Sequence, residues 1–150
     1  MKKINTYITE KLKIRKSSYK YFPKTKEELQ DIIDKLIKER GNEGDFNDID
    51  TSEITDMSEL FRDMDEFNGN ISNWNVSNVK DMEYMFYDCE SFNQDISGWD
   101  VSNVTDMRLM FSGCKSFTCD ISNWDVSNVK DMEYMFAYCP IKEKYKPKFK

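Results

Sequence analysis

Apolar residues return along residues 46–139 with a fixed spacing of 25. Trp74, Trp99 and Trp124 mark the spacing, and Val76, Val101 and Val126 keep it. So do three further columns: Met82, Met107 and Met132; Phe86, Phe111 and Phe136; Cys89, Cys114 and Cys139. Residues 71–87 and 121–137 differ at only two positions, Asn75/Asp125 and Tyr87/Ala137. A weaker copy upstream keeps Phe46, Ile49, Thr51, Ile54, Met57, Leu60, Phe61 and Met64, with Ile49 in the Trp position. A fixed period of this size marks stacked repeats, because one unit cannot bury its apolar face alone. Four turns are expected, with degenerate ends.

Two patterns alternate inside a unit. Val79, Met82, Met85, Phe86 and Cys89 fall on one face of a helix of about three turns. Asn78 is placed to cap it, and Asp81 sits near the positive end of its dipole. The Ser/Asn-rich stretch carrying Ile96, Trp99 and Val101 reads as a short strand. The expectation is an α/β repeat with short parallel strands on one side and short helices on the other. The Trp, Met, Phe and Cys columns would be its core, since large aromatics dominate packing and Met fills irregular gaps.

Residues 1–44 follow a different pattern. Thr25-Lys26-Glu27-Glu28 reads as a capping box. Leu29, Ile32, Ile33, Leu36 and Ile37 then mark one helical face, and Gly41 ends it. This predicts an N-terminal amphipathic helix within residues 25–44 that covers the first turn. Residues 1–24 are a leader with a shorter helix at Ile4, Tyr7, Ile8 and Leu12, then a basic linker. The repeats occupy 45–139, and 140–150 is a lysine-rich tail.

Charge divides along the same boundaries. Net charge is +5 for residues 1–44, −15 for 45–139 and +4 for 140–150. The acidic repeats argue against nucleic acid along their surface, because phosphate contacts need clustered Lys and Arg. The 150 residues hold no histidine, which removes imidazole-based catalysis and metal binding. Aromatic residues make up 14%, too many for a disordered chain. No apolar run spans a membrane, and no export signal or lipid-anchor Cys is evident near the start. A cytoplasmic location is expected, with virion-associated and cell-surface locations as alternatives.

The strings SNWNVSNVKDMEYMFYDCESFNQDIS and GWDVSNVTDMRLMFSGCKSFTCDIS resemble the repeats of BspA-type leucine-rich-repeat surface proteins, also described as a mycoplasma-lipoprotein-type repeat of unknown function. The resemblance covers residues 46–139. It implies a leucine-rich-repeat-like solenoid, and protein or surface recognition rather than catalysis. Members encoded by bacteria and by bacteriophages are both implied.

The candidate partner-binding residues are Asp50, Asn73, Asn75, Gly98, Asp100, Asn123 and Asp125, on or beside the strand side. Stacked carboxylates repel unless a cation or a basic partner lies between them. A basic protein partner is preferred over calcium. Asn78, Asn103 and Asn128 are expected to form a buried amide ladder. The cysteines have neither CxxC spacing nor histidine partners, so buried thiols are favoured over zinc, and Cys119, off the column, is the candidate exposed thiol. No cofactor, metal or catalytic residue is expected. The leading function is a non-catalytic protein-interaction module, an adaptor or surface-recognition protein. The alternative is a structural subunit of a particle, docked through its N-terminal segment. Self-association through the C-terminal edge is a further possibility.

Overall fold

The computed structural model describes residues 18–149. The expected leader helix at Ile4–Leu12 lies outside them. Helix α1, Lys26–Arg40, precedes the repeats. Thr25 caps it: its hydroxyl accepts from the Glu28 amide at 3.1 Å, and the Gly41 amide closes the other end on Ile37. Leu29, Ile33 and Leu36 are fully buried and belong to the same apolar cluster as the repeats. At the end of α1 the Arg40 guanidinium grips both oxygens of Asp48 at 2.8 and 2.9 Å, tying the helix to the first repeat.

The expected fold class is corrected at the repeats. Between residues 45 and 139 no helix and no strand forms. The leucine-rich-repeat-like arrangement, strands on one side and helices on the other, is not what these residues build. Consecutive repeats instead join through isolated parallel bridges, among them Asp56 with Asp81, Asp81 with Asp106 and Asp106 with Asp131.

The backbone geometry explains both departures. The expected helical stretch contains Tyr84 and Asp88 at φ +57° and +55°. Residues in the same two columns of the other repeats also have positive φ: Glu59 and Asp63, Leu109 and Gly113, Tyr134 and Tyr138. A left-handed residue every fourth position interrupts a right-handed helix. Amides that a helix would use internally point along the stack. Met82, Tyr84, Phe86 and Asp88 donate to the carbonyls of Asp106, Arg108, Met110 and Ser112 at 2.8–3.0 Å. The amides between them close three-residue turns, such as Met85 on Met82 and Cys89 on Phe86. A string of such turns also brings every third or fourth side chain inward, so helical spacing is satisfied without a helix.

The expected strand is bent by its polar residues. Asp95 and Asp100 each accept from the amide two residues on, at Ser97 and Ser102. These are Asx turns, which redirect the backbone locally. They leave Ile96, Trp99 and Val101 inside, but not on an extended segment.

Inside, equivalent rings stack in columns. Phe61, Phe86, Phe111 and Phe136 lie 5.4–5.8 Å apart and nearly parallel. Phe67, Phe92 and Phe117 form a second column and pack against the first at 4.2 Å. Each aromatic pair contributes about 0.5–1.5 kcal/mol beyond simple burial. The indoles reach across turns: Nε1 of Trp74, Trp99 and Trp124 donates to the carbonyl 28 residues earlier, at Phe46, Ile71 and Ile96. Cys89 and Cys114 do the same with their thiols, to Phe61 and Phe86.

Past Cys139 the chain continues the stack. Tyr145, in a short 3-10 turn at Glu143–Tyr145, accepts from the Ile121 amide at 3.0 Å. Ile141 and Pro147 are buried, whereas Lys142, Lys144 and Lys148 face outward.

Candidate functional site

Three Asx turns per repeat build the outer surface. In the second repeat they start at Asn70, Asn75 and Asp81, each side-chain oxygen accepting from the amide two residues later. Because the repeats stack in register, each turn recurs one level down. Asp50, Asn75, Asp100 and Asp125 form one such column, held by the amides of Ser52, Ser77, Ser102 and Ser127. Asn75, Asp100 and Asp125 are exposed, and Asp50 is half-buried.

A shallow groove runs across this face and brings together Asn73, Asn75, Gly98 and Asp100, four of the seven candidate binding residues. Tyr19 and Ser72 also line it. Sequence reasoning placed Tyr19 in a linker and had no signal for its return to the repeats; that return comes from the Lys20 amide on the Asp48 carbonyl and the Asp50 amide on Tyr21. Asn123 and Asp125 lie on the next level, outside the groove lining, and are exposed. Asp50 lies one level up. Gly98 has nothing within 4 Å of where a Cβ would sit.

Asp100 is held below the usual carboxylate range by the Ser102 hydroxyl and amide, and Asp95 by those of Ser97. Neither holds a proton near neutral pH.

The column expected to cap helices, Asp56, Asp81, Asp106 and Asp131, serves the bridged backbone instead. Burial pushes Asp81 up, and neighbouring Asp106 adds to this. Glu83 is raised by burial as well. Burial also works to raise Asp106, but its hydrogen bonds to Arg108 prevail and hold it low. Asp81, Glu83 and Asp106 bring their carboxylates within 4.8 Å of one another, close enough to share a cation. The Arg108 guanidinium already stands among this group, 2.8 Å from Asp106, 3.3 Å from Glu83 and 3.5 Å from Asp131. A single arginine thus offsets the repulsion that stacking creates.

The Asn ladder forms, but outside. Nδ2 of Asn78, Asn103 and Asn128 donates to the carbonyls of Ser52, Ser77 and Ser102 at 2.6–2.7 Å, and all three residues are exposed. Buried position is therefore corrected: the amides need only a carbonyl one turn away, and that row lies at the surface. Asn123 makes the equivalent bond to Ser97.

The core columns divide by level. Trp74, Trp99, Trp124, Met82, Met107, Phe86, Phe111, Cys89 and Cys114 are buried. Met132 is not; it is 41% exposed, and Phe136 and Cys139 are half-buried. Met132 is outside the core because no further turn lies over it among the described residues. All four cysteines are free thiols. Cys119 is half-buried, its sulfur 3.8 Å from Asp95. The exposed Tyr134 and Tyr138 beside Met132 are not singled out by the sequence pattern; for Tyr138 the available signal is an aromatic in the column of Asp63, Asp88 and Gly113.

No described helix is long and apolar enough to cross a membrane. The architecture is that of a repeat protein built from stacked 25-residue units behind an N-terminal helix. The chain belongs to the family described as Mycoplasma protein of unknown function, DUF285, which matches residues 27–147. No curated protein and no solved structure matches it.

Proposed function

We propose that this protein is a non-catalytic protein-binding module, related to BspA-type surface repeat proteins, that presents its Asx-turn face to a basic protein partner. The observation that carries this reading is the groove of Asn73, Asn75, Gly98 and Asp100, extended by Asp125 below. Its exposed surface is mostly polar and it repeats from level to level, which suits an extended protein surface better than a small molecule, which favours an apolar pocket. Asp100 on it is held as an anion by the Ser102 hydroxyl and amide, which suits charge pairing and not proton transfer. Aligned like charges favour a partner of opposite sign.

A photo-crosslinking residue at Gly98 tests the proposal, because that position is open and faces the groove. In lysate of the source cells it should capture one predominant protein. Capture should fall at least fivefold in the Asp100→Asn, Asp125→Asn background. Asn75 already does the same structural job in that column, so the fold is preserved. Capture that is unchanged by neutralising both charges would remove this face as the site.

A further inference from the structure

The last turn of the stack leaves a row of donors open. In the three preceding levels, four alternate amides donate to the following turn, as Met107, Leu109, Phe111 and Gly113 do to Asp131, Glu133, Met135 and Ala137. One level down the same four amides belong to Met132, Tyr134, Phe136 and Tyr138. None has a backbone acceptor among the described residues. Their side chains are also unusually open, with Met132 at 41%, Tyr134 at 65% and Tyr138 at 88% exposure. Beside this row runs a groove of about 450 Å³ lined by Met132, Met135, Phe136 and Phe149 together with Lys144, Lys146 and Lys148.

We propose that this end of the molecule binds an acidic, extended segment of another protein, which adds its carbonyls to the amide row and sets its carboxylates against the lysines. Three features select that occupant. First, the row offers donors without matching acceptors, so it calls for a backbone with free carbonyls, as in strand addition to a sheet edge. Second, residues 140–150 carry a net +4, opposite in sign to the repeats. Glu143, the acid lining the groove, is already paired with Lys146 at 2.5 Å. Third, apolar side chains and lysines line one groove together, which suits acidic residues alternating with apolar ones, since side chains of an extended segment point to opposite sides.

A second copy fits less well. Two such ends facing each other would oppose donors to donors. The opposite end of the stack, which would offer carbonyls, lies beside α1, where Lys26 donates to Ser58 at 3.1 Å and approaches Asp56 at 3.6 Å.

The test uses the full chain and two fluorescent peptides, one alternating Glu with Leu and one alternating Lys with Leu. Anisotropy should report binding of the acidic peptide and at least tenfold weaker binding of the basic one. Lys144→Glu with Lys148→Glu should reduce acidic-peptide affinity at least tenfold. Both lysines are exposed, so the thermal midpoint should hold. Amide hydrogen exchange by NMR should slow at Met132, Tyr134, Phe136 and Tyr138 when the acidic peptide is added. Equal binding of both peptides, no binding of the acidic one, or exchange unchanged at all four amides would overturn the proposal. So would those amides being already protected in a self-associated form of the free chain, seen by sedimentation.

Discussion

The indole nitrogen of Trp99 donates to the carbonyl of Ile71, 28 residues earlier and one full turn away, at 3.1 Å. The bond joins two levels of the stack inside the core, where Trp99 is 4% exposed. An isolated repeat would leave both groups without each other, so the bond exists only because the units stack. The two substitutions that separate its parts are Trp99→Phe and Trp99→Ala. Phe keeps a ring in the column but removes one of two donors from the Ile71 carbonyl, which still accepts from the Trp74 amide at 3.1 Å, so the cost is that of one hydrogen bond, about 0.5–1.5 kcal/mol. Ala also opens a cavity, and its total cost is about 3–5 kcal/mol. Urea unfolding of both variants measures the difference; a Phe variant as stable as the parent would show that the Trp74 amide alone satisfies the Ile71 carbonyl.

Gly113 and Asp88 are predicted to be energetically coupled. Gly113 has φ +78°, and a Cβ built on it would lie 2.0 Å from Asp88 Oδ1. Asp63, Asp88 and Tyr138 hold the same column with positive φ, so the backbone conformation alone does not demand glycine. Gly113→Ala should destabilise by about 1–2 kcal/mol through strained φ and displacement of Asp88. In an Asp88→Ala background the same substitution should cost less, by at least about 0.5 kcal/mol. Additive costs in a double-mutant cycle would locate the whole effect in the backbone.

Gly98 marks a missing rung. Asn73 and Asn123 hold its column, and Asn123 bonds across to Ser97. Nothing obstructs a side chain at Gly98. Gly98→Asn should donate to the Ser72 carbonyl and also restrict the unfolded chain, for a gain of about 0.4–1 kcal/mol. A lower melting temperature in this variant would show that the ladder does not extend through that level.

The buried thiols predict an alkaline loss of stability. Burial pushes Cys89 and Cys114 far above the ordinary thiol range. The folded chain therefore keeps protons that the unfolded chain releases above about pH 8.5. Stability is complete below that pH and falls as pH rises past it, by about 1.4 kcal/mol per pH unit for each thiol. Denaturant titrations between about pH 8 and 9.5 should show this slope, and Cys89→Ser with Cys114→Ser should flatten it, since serine does not titrate there. In the native protein at neutral pH, Cys119 should react with a thiol reagent before Cys89 or Cys114. An unaltered slope in the serine variant would assign the alkaline effect to other groups.

The sequence alone determined the period and most of the inward columns, because matching positions in stacked units must bury matching side chains. It also held the capping signal at Thr25 and the charge reversal at residue 140. It did not determine what the backbone does between inward residues. Val79, Met82, Met85, Phe86 and Cys89 satisfy a helical period, and only the stack shows their amides pointing to the next level, with Tyr84 and Asp88 in left-handed turns. Local spacing records which side chains face inward. It does not record where an amide finds its acceptor 24 residues away. The same reason hid the far end: Met132 has the spacing of a core residue, and it is exposed because its burial depends on a turn that the described structure does not place over it.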